Sequence, residues 1–356
     1  MALRLQVGER VRIRSLNEIL PTLDQGGYLD SLPFMPEMIP YCGQEFTVFK
    51  RIDKVNDTVD RTGLRRMENA VILEGVRCDG QAHGGCQALC QLIWKEAWLH
   101  RVEQKRSRRS DSLQTSSVLV PAPRARVDGS VCTEARLIQA TRRAGSSADE
   151  RFSCQATEIK KASSYLAWWD PRQYVRDLRS GNVSGLELIR AFLFWIFILV
   201  VRRIGGFRLL VRLYNSLQTF RGGELLLGRQ GSLKKTPKLQ LNLEPGELVQ
   251  VKSQDEIVDT LDENNKNRGL WFDREMVKYC GGTYRVLCRV KTIVDHKTGR
   301  LLNLPNDCII LEGVTTRGDH HRFYPQNEYP FWREIWLRRV PDPVRGDAGD
   351  RRENPC

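Results

Sequence analysis

The chain has 356 residues, 41% hydrophobic and 28% charged, with 56 Lys+Arg against 43 Asp+Glu and a formal charge of +13. That apolar content excludes global disorder, and ten cysteines over this length are too sparse for a disulfide-stapled miniprotein. The opening run MALRLQVGERVRIRS has no apolar core of a secretory signal, so a reducing, cytoplasmic compartment with free or metal-bound thiols is expected.

Self-similarity sets the organisation. Residues 8–102 align with 246–340 at a constant offset of 238 without a gap, and a third of the positions are identical. GERVRIRS answers to GELVQVKS, VILEGV to IILEGV, and WKEAWLHRV to WREIWLRRV. Chance similarity does not hold register over such a span, so the chain is a tandem duplication. The expected units are a first repeat (1–102), a Ser/Arg/Pro-rich flexible linker (103–128) and a helical middle segment (129–240) containing an apolar helix at 186–214. A second repeat (241–340) and a disordered tail (341–356) follow.

Within each copy the elements read as β. Val11 and Ile13 alternate with Arg12 and Arg14, a strand with one wet face. Phe46 and Val48 begin a second strand, Asp57–Gly63 and Asp295–Gly299 are polar turns, and Val71–Val76 and Ile309–Val314 return. The closing segment is ambiguous. Trp94, Glu96 and Trp98 suit a strand, Trp94, Trp98 and Val102 suit a helix, and Pro330 favours a strand in the second copy. The fold class is thus mainly β with a helical insert.

A G-[ED]-x-V-x-V opening followed by a long loop and a tight meander resembles SH3-like barrels of the KOW or nitrile-hydratase β-subunit type. The wider pattern, including RRMENAVILEGVRCDGQAHGGC and SCQATE…WWDPRQY…SGNVS, looks like a bacterial family with a tandem-duplicated domain. The resemblance implies two SH3-like β-barrel repeats. It implies no reaction.

The densest chemical signal is Cys78-x4-His83-x2-Cys86-x3-Cys90. Three thiols and an imidazole within thirteen residues satisfy tetrahedral Zn2+, with an iron–sulfur cluster as the alternative cofactor. Gly80, Gly84 and Gly85 let the backbone wrap an ion, and a helical turn from Cys86 to Cys90 would set those sulfurs on one face. The duplication supplies a control: the counterparts of Cys78, Cys86 and Cys90 are Thr316, Tyr324 and Glu328, and only His83 keeps its match, His321. The thiols are therefore a specialisation of the first copy rather than a requirement of its fold. Cys154 is the candidate to complete the site if the middle segment folds back, with Cys132 behind it. Cys42 and Cys280 correspond and read as buried small hydrophobes.

Ala191–Val201 is an unbroken apolar run whose helical length, about 16 Å, is roughly half a bilayer core. Phe192, Phe194, Trp195 and Phe197 on it, with Arg202, Arg203, Arg208 and Arg212 after it, read as an in-plane element on an anionic membrane surface, with a helix buried in the middle segment or against a partner as the first alternative and a true span as the second. Charge supports this reading: residues 186–240 hold ten basic groups against Glu187 and Glu224, whereas each repeat is nearly neutral. Trp168 and Trp169 are interfacial anchors or part of a packed turn.

The expectation is a metal-binding accessory or scaffold protein, cytoplasmic and peripheral to the inner membrane, with a protein partner on the second repeat. A metal-dependent or redox enzyme of a biosynthetic pathway is the first alternative. An RNA- or ribosome-associated KOW-like factor is the second, disfavoured because neutral repeats lack the basic face that nucleic acid needs.

Overall fold

The structure, a computed structural model, describes residues 3–60, 62–102, 132–143, 150–190, 230–316 and 324–341, with isolated positions between 192 and 217. The 103–128 linker, most of the 191–214 stretch and the tail beyond 341 lie outside the described residues. The chain is mainly β, and its two principal sheets are antiparallel and curled into half barrels.

The first repeat contains β1 (Arg10–Ile13), α1 (Leu16–Ile19), β2 (Glu45–Arg51), β3 (Lys54–Asn56), β4 (Leu64–Arg66), β5 (Ala70–Arg77), β6 (Gln91–Lys95) and β7 (Leu99–Arg101). Five strands form one sheet in the order β6-β5-β2-β1-β7, and β3-β4 is a separate hairpin. The ambiguous closing segment is neither one strand nor a helix. It is β6, a 3-10 turn at Glu96–Trp98, and β7 returning to pair with β1. The turn resets the side-chain alternation, so Trp94 and Trp98 both point into the core, where Phe34 meets each edge to face.

The middle segment does not stand apart as a helical unit. Its described part holds short helices α2 (Glu134–Ala140), α3 (Gln155–Glu158) and α4 (Arg172–Ser180), and a helix beginning at 185. It also holds a ribbon of Arg142–Arg143 with Arg151–Phe152, and β8 (Ser164–Tyr165) paired to β4. Helices this short need a surface to pack on. Cys132, Leu137, Cys154 and Ile159 enter the core of the first repeat, and Lys54 pairs with Asp177 at 2.6 Å, both buried. The Asn182 side chain accepts from Arg51 N (2.8 Å) and donates to Arg51 O (2.7 Å), standing in for a neighbouring strand.

The second repeat contains β9 (Leu248–Val251), α5 (Gln254–Val258), β10 (Thr283–Val294), β11 (Leu301–Leu311) and β12 (Leu337–Arg339). Its register reproduces the first at the same offset of 238. Val11 lies opposite Phe46 and Arg101, as Val249 lies opposite Tyr284 and Arg339, and Val48–Leu73 matches Val286–Leu311. The polar framework repeats too. Ser15–Glu18 and Ser253–Glu256 are capping boxes, and Trp98 and Trp336 donate to Thr22 and Thr260. Buried Glu96 and Glu334 each accept from two backbone N–H groups and pair with Arg51 and Arg289.

The second repeat also reaches the first. β10 and β11 make a long hairpin that lies across the loop after β5. Gln87 N donates to Thr292 O, and Gln87 Oε1 accepts from Lys291 N and Thr292 N at 2.7 and 3.1 Å. At the hairpin turn itself, Phe152 N donates to Gly299 O. Leu89 packs against Val290, Cys308 and Ile310, while Cys86, Phe152 and Val294 form a second apolar cluster.

Candidate metal centre

The cysteine loop runs from the end of β5 to the start of β6. It contains a 3-10 turn at Gln81–His83, then irregular backbone from Cys86 to Cys90 with no helical turn and with Leu89 left-handed (φ +49°). The expected pairing of Cys86 and Cys90 on a helix face therefore does not occur. Left-handed backbone at Gly80, Gly84 and Gly85 (φ +72°, +75° and +72°) folds the chain back on itself instead. A Cβ on Gly80 would lie 2.0 Å from the Cys86 carbonyl oxygen, so this crossing requires glycine.

Four of the predicted residues, Cys78, His83, Cys86 and Cys90, line one cavity of about 50 Å³ together with the fifth, Cys154. All four thiols are free. Cys154 arrives from the middle segment at the N-cap of α3, as anticipated for a segment that folds back. Cys132 does not join them and instead packs by Gly27 and Leu137. Cys42 and Cys280 are half-buried, and burial pushes their thiols up to about 11 and about 12.

The second repeat supplies the opposite wall with Val294, His296, Gln326 and Glu328. Each is the duplication partner of a lining residue of the first repeat: Asn56, Thr58, Ala88 and Cys90. The cavity thus lies where equivalent parts of the two copies face each other.

Geometry around His83 is specific. The buried ring places Nδ1 2.7 Å from Glu37 Oε1, and Nε2 3.6 Å from Cys78 Sγ. The Glu37 contact is short but bent, so its attraction is mainly electrostatic. Glu37 Oε1 also accepts from Ala82 N at 3.0 Å, while Oε2 is buried without a partner. Among the described residues, ligand atoms of Glu37, Cys78 and His83 lie within 4.8 Å of one another, whereas Cys86, Cys90 and Cys154 line the cavity outside that group; the Cys86 sulfur accepts from Val294 N at 3.3 Å.

These contacts set the charges. Burial alone would push His83 down, but Cys86 and Glu37 hold its pKa up to about 9. Burial pushes Cys86 up, yet the His83 imidazole and the N–H groups of Val294 and Ala88 bring it below the ordinary thiol value. Burial drives Cys78 and Cys90 well above that value and Cys154 to about 11. Without a metal, Cys86 is therefore the thiol whose charged form the surroundings favour, and Cys78, Cys90 and Cys154 are those in which burial opposes it.

His83 then binds more protons in the folded than in the unfolded chain between its ordinary 6.5 and about 9. The contribution to stability of the metal-free protein is complete below that window and is lost as pH rises through it. Urea midpoints of metal-free protein should fall from pH 6.5 to 9. In Glu37→Gln the fall should shrink and shift to lower pH. An unchanged slope in that variant would remove Glu37 as the group that holds the proton.

Glu37 carries no signal in the cysteine spacing, since it lies in a 3-10 turn (Pro36–Tyr41) 46 residues before His83. The clue available in the sequence is that Glu37 and Glu275 correspond, as do His83 and His321; His321 lies outside the described residues.

Of the residues expected at a membrane, Phe192 is described and is 58% exposed. Phe194, Trp195, Phe197, Arg202, Arg203, Arg208 and Arg212 lie outside the described residues. Among the described residues no helix is long and apolar enough to cross a membrane.

No protein-family model, curated protein or solved structure matches the chain.

Proposed function

We propose that this protein is a zinc-dependent junction protein. One Zn2+, held by the Cys78–His83 pair and completed by two of Cys86, Cys90 and Cys154, braces the cysteine loop, ties it to the middle segment where Cys154 takes part, and steadies the docking of the second repeat. The observation that carries this reading is the 3.6 Å between Cys78 Sγ and His83 Nε2. Zinc bonds of about 2.3 Å to sulfur and about 2.05 Å to nitrogen at the tetrahedral angle set such atoms about 3.6 Å apart. Glu37 at the far ring nitrogen supports it, because a carboxylate there fixes the tautomer and raises the basicity of the ligating nitrogen. The cavity has room for an ion with enough thiols at its wall to supply a fourth ligand, which favours a closed, structural site over an open, catalytic one. The strand order supports the SH3-like reading of the repeats: a meander whose last strand, after a 3-10 turn, returns to the first.

Metal analysis of anaerobically purified protein tests the proposal. One zinc per colourless chain is expected, lost in Cys78→Ser together with protection from proteolysis at the β10–β11 hairpin. A brown protein would replace zinc with an iron–sulfur centre. Metal-free protein with Cys78→Ser as stable as the wild type would end both readings.

A second reading concerns the apolar segment. Ser184 and Glu187 form a capping box that starts the helix at 185, and Leu186, Ile189, Phe192, Leu193 and Ile196 are exposed. At 100° per residue those five fall within about 120° of one another, a continuous apolar stripe facing away from the repeat. This supports an in-plane contact with an anionic membrane. Phe194→Asp with Ile196→Asp should move the protein from the membrane to the soluble fraction; wild type already soluble without detergent would refute the contact.

A further inference from the structure

Sixteen large apolar side chains stand exposed among the described residues, and ten of them fall between 165 and 196. Part of that concentration lies outside the apolar helix, on α4 and the loop before it. α4 is inside out. Its buried side chains are polar, Gln173, Asp177 and Ser180, whereas Val175 and Leu178 are exposed. Asp177 is turned inward onto Lys54, and Ser180 O accepts from Val7 N. With 3.6 residues per turn, Arg172 and Arg179 share the outward face with Val175 and Leu178, while Arg176 is half-buried at the edge of the polar, inward stripe. Just ahead, Trp168 and Trp169 are 61% and 68% exposed. Gln173 Nε2 donates to Trp168 O, which fastens that loop to the helix.

Charge on this face leans positive. Asp177 is buried with Lys54, Asp170 is shared between Arg172 and Arg176, and Glu187 accepts from Ser184 and lies near Arg190. That leaves Arg179 on the outward face with no acidic group of the stretch against it. Arginines beside exposed tryptophans on an otherwise apolar face match the headgroup layer of a bilayer. There guanidinium groups meet lipid phosphates while indoles sit at the polar–apolar boundary. The chain also continues directly into the apolar run at 191–201 and its ten basic neighbours, so the chemistry is continuous.

We propose that α4 and the Trp168–Trp169 loop form a docking face for anionic lipid, which holds the first repeat, and with it the metal centre, against the membrane. The proposal rests on the membrane reading of the 186–214 segment but assigns separate residues, so the two can fail separately. Vesicle co-sedimentation of the full chain, with phosphatidylglycerol/phosphatidylcholine against pure phosphatidylcholine, provides the measurement. Arg172→Glu with Arg179→Glu should lower binding to anionic vesicles at least tenfold while thermal melting is unchanged, because both side chains are exposed. Trp168→Phe with Trp169→Phe should keep the fold and remove most of the tryptophan quenching by brominated lipid. If both variants bind and quench as the wild type while Phe194→Asp with Ile196→Asp releases the protein, the membrane reading stands and this face is overturned. Wild type that ignores anionic vesicles overturns both. A self-associating protein whose dimer, rather than vesicle binding, is lost in the arginine variant assigns the face to a second copy and overturns the lipid proposal.

Discussion

Glu96→Ala should destabilise the first repeat by about 3–5 kcal/mol, the range for removing one partner of a buried ion pair. Glu96 is buried, and its carboxylate does two things at once. It accepts from Arg4 N and Leu5 N at 2.9 and 3.0 Å, closing the edge where the chain enters β1, and it neutralises Arg51. Truncation leaves two backbone donors with no acceptor and takes from the Arg51 guanidinium its most buried carboxylate, leaving it Asp53 and the Leu5 carbonyl. Glu96→Gln should cost less, because the amide oxygen still accepts one N–H while Arg51 keeps Asp53. The duplication provides an internal replicate. Glu334 accepts from Leu241 N and Leu243 N and pairs with Arg289, so Glu334→Ala should carry a similar cost in the second repeat. Urea denaturation followed by tryptophan fluorescence measures both. A cost below about 1 kcal/mol for either would mean that water, rather than the carboxylate, satisfies that edge.

Gly80→Ala should abolish the metal centre and cost about 3 kcal/mol or more, among the most severe single substitutions. Two penalties coincide at this position. The backbone is left-handed, which costs an L-residue about 1–2 kcal/mol, and the new Cβ would sit 2.0 Å from the Cys86 carbonyl oxygen, which is itself held in the loop crossing. The loop must open, and Cys78 and Cys86 separate. Gly85→Ala is the matched control: its φ is also +72°, but nothing lies within 4 Å of the Cβ, so about 1 kcal/mol and retained metal are expected. Zinc stoichiometry and urea midpoints distinguish the pair. Equal effects of the two substitutions would place the cost in backbone conformation alone and remove the crossing as the determinant of the site.

The fold was legible where a pattern repeats. Two copies that keep Val11/Val249, Phe34/Phe272, Trp94/Trp332 and Glu96/Glu334 must bury the same faces, and the strand registers agree at the same offset. The closing segment was not legible, because a 3-10 turn inserted between two short strands mixes the periods of strand and helix. The middle segment was partly legible. Its short helices carry local signals, but their packing on the first repeat depends on partners more than a hundred positions away, such as Lys54 for Asp177 and Arg51 for Asn182. The ligand spacing pointed to Cys78, His83, Cys86 and Cys90, and the fold-back of Cys154 was anticipated as a condition. Glu37 and the wall contributed by the second repeat carried no signal in that spacing.

By itself the sequence determined the duplication, the two β sheets it encodes and the identity of the thiols that line one cavity. Those are local or self-referential properties: alternation, offset and spacing survive in one dimension. Tertiary structure alone decided that this cavity lies at the seam between the copies rather than inside one of them, that a carboxylate lies against His83, and that α4 turns its polar side inward. Each of these depends on which surfaces are removed from water when distant segments pack. Burial is a property of the folded surface, and no spacing along the chain encodes it.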